Sequence, residues 1–379
     1  MNIIIAPDSF KGSLSAVEVS NYIEMGVKNA FKDAKLIKLP VGDGGEGTMD
    51  ALVTATGGTK KSISVKGPLG NTVQASYGVL GDGKTCVIEM ATASGLHLVP
   101  HDKLSPLTTT TYGTGELIKH ALDEGYSSFI IGLGGSATND GGAGMLQALG
   151  LKLLCKNGEQ IKFGGGELKN ISKIELSEFD SRIKESTFLI ASDVENPLIG
   201  STGASYVFGP QKGATEQEVI NLDDNLEHLA NIIENSTGIR LHDKPGAGAA
   251  GGIGGAFQAF FPVKFQRGID VVLDYAGLDE HLENANLVIT GEGKVDSQTV
   301  YGKTPLGVAQ RANINGVPTI ILAGSTVEGF EGLYKHGVVS VHSIINNPMS
   351  LEEAMANVGQ LLISVTEQVV RTFFYNEIN

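Results

Sequence analysis

Short β-branched runs alternate with capped helical segments at both ends of the chain, and this alternation is what most restricts the fold. Residues 3–6 form an apolar run, and after a polar loop Ser15-x-x-Glu18 matches a capping box, which predicts a helix over residues 15–30. Residues 35–41 read as a second strand, followed by a helix over residues 47–55 that Gly57-Gly58 closes. Towards the other end, residues 285–290, 319–323 and 337–342 read as strands, and Thr304-Pro305 reads as an N-cap with proline at the first helical position. Ser350-x-x-Glu353 opens a last helix in which Leu351, Met355, Val358, Leu362, Val365, Val369 and Phe373 keep helical spacing. Two early strands and three late ones complete one parallel, doubly wound sheet if everything between them is an insertion. The expected organisation is therefore α/β with two domains, one from residues 1–65 plus 285–379 and a second α/β domain inserted as residues 66–284.

Within the insertion, residues 73–80 and 85–90 flank Gly81-Asp82-Gly83, which is hairpin chemistry. The same stretch spells Gly78-x-x-x-x-Gly83-Lys84-Thr85, the P-loop pattern, but a P-loop must lead into a helix and here a strand follows. The hairpin reading is preferred. Thr114 is expected to cap a helix to residue 124, residues 129–133 and 188–191 to be strands, and residues 143–149 a helix.

Composition sharpens this outline. Of 379 residues 51 are glycine, yet proline is only 12 and hydrophobics are 41%, which excludes collagen and a low-complexity chain. The net charge of −14 and pI near 5.0 argue against nucleic acid or an anionic membrane as the main partner, so any anionic ligand must meet local lysines. Cys86 and Cys155 lie in apolar runs and read as buried small hydrophobes. No stretch approaches a membrane span and the start carries no basic leader, so a cytoplasmic protein is expected.

The glycines gather into motifs. Gly42-Asp43-Gly44-Gly45-Glu46-Gly47 matches G-x-G-x-x-G between a strand and a helix, but Asp43 and Glu46 would repel a bare pyrophosphate. A metal- or hydroxyl-binding loop and a plain tight turn both fit. The glycine-rich run at residues 132–144, with hydroxyls at Ser136 and Thr138, leads from a strand into a helix and is suited to cradling phosphates. Residues 244–255 are either a mobile cover or a close-packed backbone crossing. Asp8-Ser9-Phe10-Lys11 follows the first strand, at the edge where open α/β sheets bind ligands, with a simple turn as the competing reading. Asp193 ends a strand and is either a general base or a cap. Residues 291–304 combine acids with Lys294 and Lys303 in what reads as a long loop, a mixture that phosphoryl transfer with magnesium would use and that a solvated loop would also show. The eight histidines show no metal spacing.

Taken together, six stretches resemble the bacterial type I glycerate kinases: Ala6-Pro7-Asp8-Ser9-Phe10-Lys11-Gly12, Val41 with the glycine motif that follows it and Thr48, the 132–144 loop, Ala191-Ser192-Asp193-Val194-x-Asn196-Pro197-Leu198, Phe208-Gly209-Pro210-Gln211-Lys212-Gly213, and Gly291-Glu292-Gly293-x-x-Asp296. They span the chain in the family's order. The resemblance implies ATP-dependent, Mg2+-assisted phosphorylation of D-glycerate. It also implies a flavodoxin-like domain interrupted by a second α/β domain, with the active site in a cleft between them. The product would be 2-phosphoglycerate, with 3-phosphoglycerate also assigned within the family.

On this reading Lys11 and Ser9 engage the glycerate carboxylate, Asp193 accepts the hydroxyl proton, and Asp8 and Lys11 join it as catalytic candidates. Asp43 and Glu46 are substrate contacts, and with Asp296 they are candidate metal ligands. Gly134, Gly135, Ser136, Thr138, Asn139, Lys212 and Lys294 face the nucleotide. The enzyme is expected to be a monomer or homodimer. Two other classes are compatible with the residues alone: an NAD(P)-dependent oxidoreductase of a small hydroxy acid, and a non-catalytic sugar-acid sensor.

Overall fold

The computed structural model describes residues 1–378. The chain divides into two compact units, one of residues 1–43, 50–57 and 269–379, the other of residues 44–49 and 58–268. These limits differ from the expected 65/66 and 284/285 boundaries. At the first boundary the reason is a strand, Thr59–Lys66, that pairs antiparallel with Thr72–Val79 along its whole length. Its alternation is carried by only Ile63 and Val65 among lysines and serines, the make-up of an edge strand.

In the first unit five strands run in the order Val338–Ser343, Thr319–Thr326, Leu287–Val295, Asn2–Ile5, Lys35–Lys38, all parallel. Numbered within the unit and read from the other edge, this is the flavodoxin-like order 2-1-3-4-5. Alternation along Thr319–Thr326 shows both faces covered. Ile320 and Leu322 pack with the helices Ala16–Ala30 and Val358–Phe373, whereas Ile321 and Ala323 pack with Leu306 and Ala309 of the helix Thr304–Ile314.

The expected capping boxes are present. Ser15 and Glu18 satisfy each other's backbone amides, as do Ser350 and Glu353, each box contributing about 1 kcal/mol. The last helix is broken, however, into Leu351–Ala356 and Val358–Phe373, because the Asn357 side chain donates to the Glu353 carbonyl at 2.8 Å and competes with the helical ladder. Leu351, the first residue of the shorter piece, is 77% exposed in spite of its helical spacing.

In the second unit the strands run Val263–Gln266, Thr187–Ala191, Ser128–Gly132, Thr85–Glu89, Thr72–Val79, Thr59–Lys66, the first four parallel and Thr72–Val79 antiparallel to both of its neighbours. The expected hairpin is there: Gly78 pairs with Val87 and Val79 with Cys86, so the P-loop-like string is a turn between strands. Phe129 and Phe188 stack at 4.7 Å in the core of this sheet. Cys86 is buried as expected, while Cys155 is only half-buried. Among the described residues no helix is long and apolar enough to cross a membrane.

Part of the stretch 244–255 realises the close-packed crossing. The helix Ala249–Phe260 is kinked at its start, with Ala250, Gly251 and Gly252 at φ +53, +69 and +98. Gly251 lies so close to the 132–144 loop that a Cβ there would sit 2.0 Å from the Thr138 carbonyl oxygen. The same loop donates to it, Gly141 N to Gly251 O at 3.0 Å. This is the close-packed crossing, and it is why the stretch needs glycine.

Candidate active site

In the first unit the site grows from the end of one strand and the middle of its neighbour. Pairing continues past Asn2–Ile5, with Asp8 N donating to Gly291 O at 2.9 Å, so Asp8 lies beside the Gly291-Glu292 step of Leu287–Val295. Both acids are 8% exposed. Each is held by a buried threonine from the segment that follows: Thr304 Oγ1 donates to Asp8 Oδ2 and Thr299 Oγ1 to Glu292 Oε1, both at 2.7 Å. Burial pushes the Asp8 carboxyl above its ordinary range, the Thr304 bond opposes this, and the charge of Asp43 adds to the rise. Burial likewise pushes Glu292 up to about 7, against the Thr299 bond and the Lys303 ammonium 3.9 Å away. The competing turn reading of Asp8 is also realised, since Ser9 N donates to its other oxygen at 2.6 Å.

This arrangement revises the expected loop at residues 291–304. Leu287–Val295 runs five residues beyond its expected end, and a 3-10 turn, Ser297–Tyr301, fills most of the rest. Asp296 caps that turn, accepting from Gln298 N at 2.9 Å, and its carboxyl is held low, chiefly by Lys294 at 3.2 Å. Lys303, not Thr304, is the N-cap of Thr304–Ile314, because the Thr304 hydroxyl is committed to Asp8. Lys11 is exposed, with its ammonium 3.7 Å from Asp43, and Ser9 is half-buried. Among the described residues no three His, Cys, Asp or Glu side chains form a group that could hold a metal ion unaided. Mg2+ bound through nucleotide phosphates needs only one or two carboxylates, and the acids this unit carries around the strand Leu287–Val295 are Asp8, Glu292, Asp296 and Asp43.

The glycine loops belong to the second unit. Gly44, at φ +87, leaves only 2.8 Å between a would-be Cβ and the Ala191 carbonyl oxygen at the end of Thr187–Ala191. Glu46 is exposed. Asp193, also exposed, accepts from Gly268 N at 3.1 Å.

The 132–144 loop differs from a simple phosphate cradle. The helix it enters is short, Ala143–Ala148, and its first amides are already taken. Asp140, fully buried, accepts from Gly142 N at 3.1 Å, Gly144 N at 3.3 Å, and Thr111 N and Oγ1 at 2.9 and 2.8 Å. Thr111 therefore organises this region; the expected cap Thr114 instead shares a hydrogen bond with Ser94. Only Gly134 and Gly135 of the loop candidates are exposed, Ser136 is 8% exposed, and Thr138 and Asn139 are fully buried. Lys212 is 1% exposed and donates to Ser136 Oγ at 2.8 Å and the Thr138 carbonyl at 2.6 Å. Lys294 remains 58% exposed.

Glu292, Thr299, Thr304 and Asp140 were not among the sequence candidates. For Glu292 the signal was present, an acid inside the apolar run of Leu287–Val295, and for Asp140 it was an acid in the middle of a glycine run.

The glycerate kinase family model matches residues 3–374. A glycerate kinase of Halalkalibacterium halodurans is 49% identical over 375 residues, 99% of either chain. A glycerate 2-kinase of Escherichia coli is 48% identical over 372 residues, 98% of either. A solved structure of a Salmonella typhimurium LT2 protein assigned as glycerate kinase 2 superimposes with a TM-score of 0.90 at 47% identity, covering 100% of this chain and 99% of that one. The chain is a kinase and belongs to the glycerate kinase family.

Proposed function

We propose that the chain transfers the γ-phosphoryl group of ATP to D-glycerate with Mg2+, giving 2-phosphoglycerate. The observation that carries the reading is the buried acid pair Asp8 and Glu292 on neighbouring strand segments, each pinned by a threonine, with Lys303 beside Glu292 and Lys11 and Lys294 paired to the nearby acids Asp43 and Asp296. Family membership supports ATP as donor and sets aside the oxidoreductase and sensor readings. The Escherichia coli relative's name supports the 2-phosphate.

In this reading Lys11 and Ser9 hold the glycerate carboxylate, and Asp193 accepts the proton of the attacking hydroxyl. The exposed Gly134-Gly135 backbone, Ser136 and Lys294 receive the nucleotide phosphates. Asp43, Glu46, Asp296 and Glu292 provide the carboxylates for the metal or for substrate hydroxyls. Bound with the nucleotide, Mg2+ supplies charge neutralisation of the phosphates. Both units contribute residues, which is why the expected interdomain cleft belongs to the proposal.

Phosphorus NMR of the products tests it: ATP, glycerate and Mg2+ give 2-phosphoglycerate, and chelation of Mg2+ stops turnover. Accumulation of 3-phosphoglycerate, or undiminished turnover after chelation, refutes the corresponding part.

A further inference from the structure

The lysine beneath the glycine-rich loop is its least economical feature. Lysine is almost never fully buried unless paired, yet Lys212 is 1% exposed. Taking the ammonium out of water pushes it down to about 7, with the charge of Asp140 acting in the opposite sense. An apolar side chain of similar volume would fill the space without that cost, so packing does not account for a lysine here.

What only the ammonium supplies is a pair of donated bonds, 2.8 Å to Ser136 Oγ and 2.6 Å to the Thr138 carbonyl. These anchor the part of the loop that directly follows the exposed Gly134-Gly135 step. That step has no side chains to pack; its backbone is held on one side, where Leu96 N donates to Gly135 O at 2.8 Å and Ala137 N to Ser94 O at 3.0 Å, and the Lys212 bonds add a second anchor. Asp140 fastens the far end of the loop, at Gly142 and Gly144, so Lys212 and Asp140 secure separate halves. The lysine is presented by the 3-10 turn Pro210–Lys212, which stops at Gly213 in a left-handed conformation.

We infer that Lys212 is a positioning residue for phosphoryl transfer: it lies out of the ligand's reach and fixes Ser136 and the Thr138 carbonyl, so that the exposed Gly134-Gly135 backbone is preorganised to receive phosphate oxygens. Preorganised donors contribute because they need no rearrangement when charge arrives. The inference rests on the reading of this loop as the nucleotide loop, and it replaces direct contact between the Lys212 amine and the phosphates.

The test is Lys212→Met, read by amide hydrogen exchange and by kinetics in which ATP and glycerate are varied separately. Exchange at residues 134–139 is expected to quicken about tenfold while Ser128–Gly132 keeps its wild-type protection. KM for ATP is expected to rise about tenfold with KM for glycerate changed by less than about twofold. Wild-type exchange across residues 134–139 in folded Lys212→Met overturns the inference whatever the activity. Quickened exchange with a raised KM for glycerate alone supports the positioning role and overturns the nucleotide reading of the loop. If Lys212→Met does not fold, Ser136→Ala removes one of the two acceptors. About threefold faster exchange in the same segment then supports the inference, and unchanged exchange overturns it.

Discussion

Glu292→Gln is expected to stabilise the protein at alkaline pH and to leave it nearly unchanged in acid. Burial raises this carboxyl from 4.5 to about 7. The folded state therefore binds the proton more tightly than the unfolded chain does. Its favourable contribution is complete below pH 4.5 and is lost as pH rises to about 7. At about 1.4 kcal/mol for each tenfold change in proton affinity, the loss is about 3 kcal/mol. Glutamine is neutral throughout, and its carbonyl can still accept from Thr299, which now bonds Oε1 at 2.7 Å. The half-exposed Lys303 ammonium, 3.9 Å from Oε2, loses this partner, which offsets the gain by about 1 kcal/mol. Urea unfolding of the wild type and variant, followed by far-UV circular dichroism from pH 5 to 8.5 without nucleotide, measures the difference. The chain lacks tryptophan, so indole fluorescence is no substitute. A difference that is the same at pH 5 and pH 8.5 refutes the argument, because it would mean that the buried carboxyl does not titrate in this window. Turnover should fall in the same variant, a stability gain at the expense of function.

Asp193→Asn is expected to lower turnover by at least about 100-fold while fluorimetric nucleotide binding stays intact, as for loss of a general base; near-wild-type turnover removes Asp193 from that role. Thr304→Val deletes the 2.7 Å bond to Asp8 and should cost about 1.5–3 kcal/mol where Asp8 is ionised. Because that bond lowers the Asp8 pKa, its loss should also move the acidic limb of the kcat/KM profile to higher pH, and an unmoved limb refutes the link. Gly251→Ala places a Cβ 2.0 Å from the Thr138 carbonyl oxygen at φ +69. The backbone conformation alone costs about 1–2 kcal/mol, so both a lower Tm and a raised KM for ATP are expected, and an unchanged Tm argues against the crossing.

The sequence made elements legible wherever the deciding interactions were local. Ser15 with Glu18 and Ser350 with Glu353 are contacts three residues apart, and both appear as read. The hairpin around residues 80–84 was recoverable because a strand pattern, not a helix pattern, followed Lys84. Local reading failed where a hydroxyl had a better partner far away in sequence. Thr304 and Thr114 both looked like caps, but one serves Asp8 and the other bonds Ser94. The same limit hid the site's interior: that Glu292 would be buried against Thr299, or that Lys212 would end beneath the loop, depends on packing no spacing rule encodes. The motifs named candidate segments, while burial shows which side chains within them are exposed.

The charge balance of the chain then has a structural counterpart. With a net charge of −14, a protein that receives anionic substrates would be expected to keep local lysines free. In the first unit they are instead paired: Lys11 with Asp43, Lys294 with Asp296, and Lys303 with both Glu292 and Asp296. Under the proposed function, phosphate and carboxylate groups must therefore compete with carboxylates already present, and binding becomes an exchange of partners. Such an exchange leaves acids behind, and a buried acid without its counter-charge is costly. The released carboxylates would be the residues to hold a divalent cation bound with the nucleotide, which would supply the missing counter-charge. The acidic composition and the proposed need for Mg2+ are on this argument one property, and the surplus of carboxylates is what would make binding of the bare nucleotide weak.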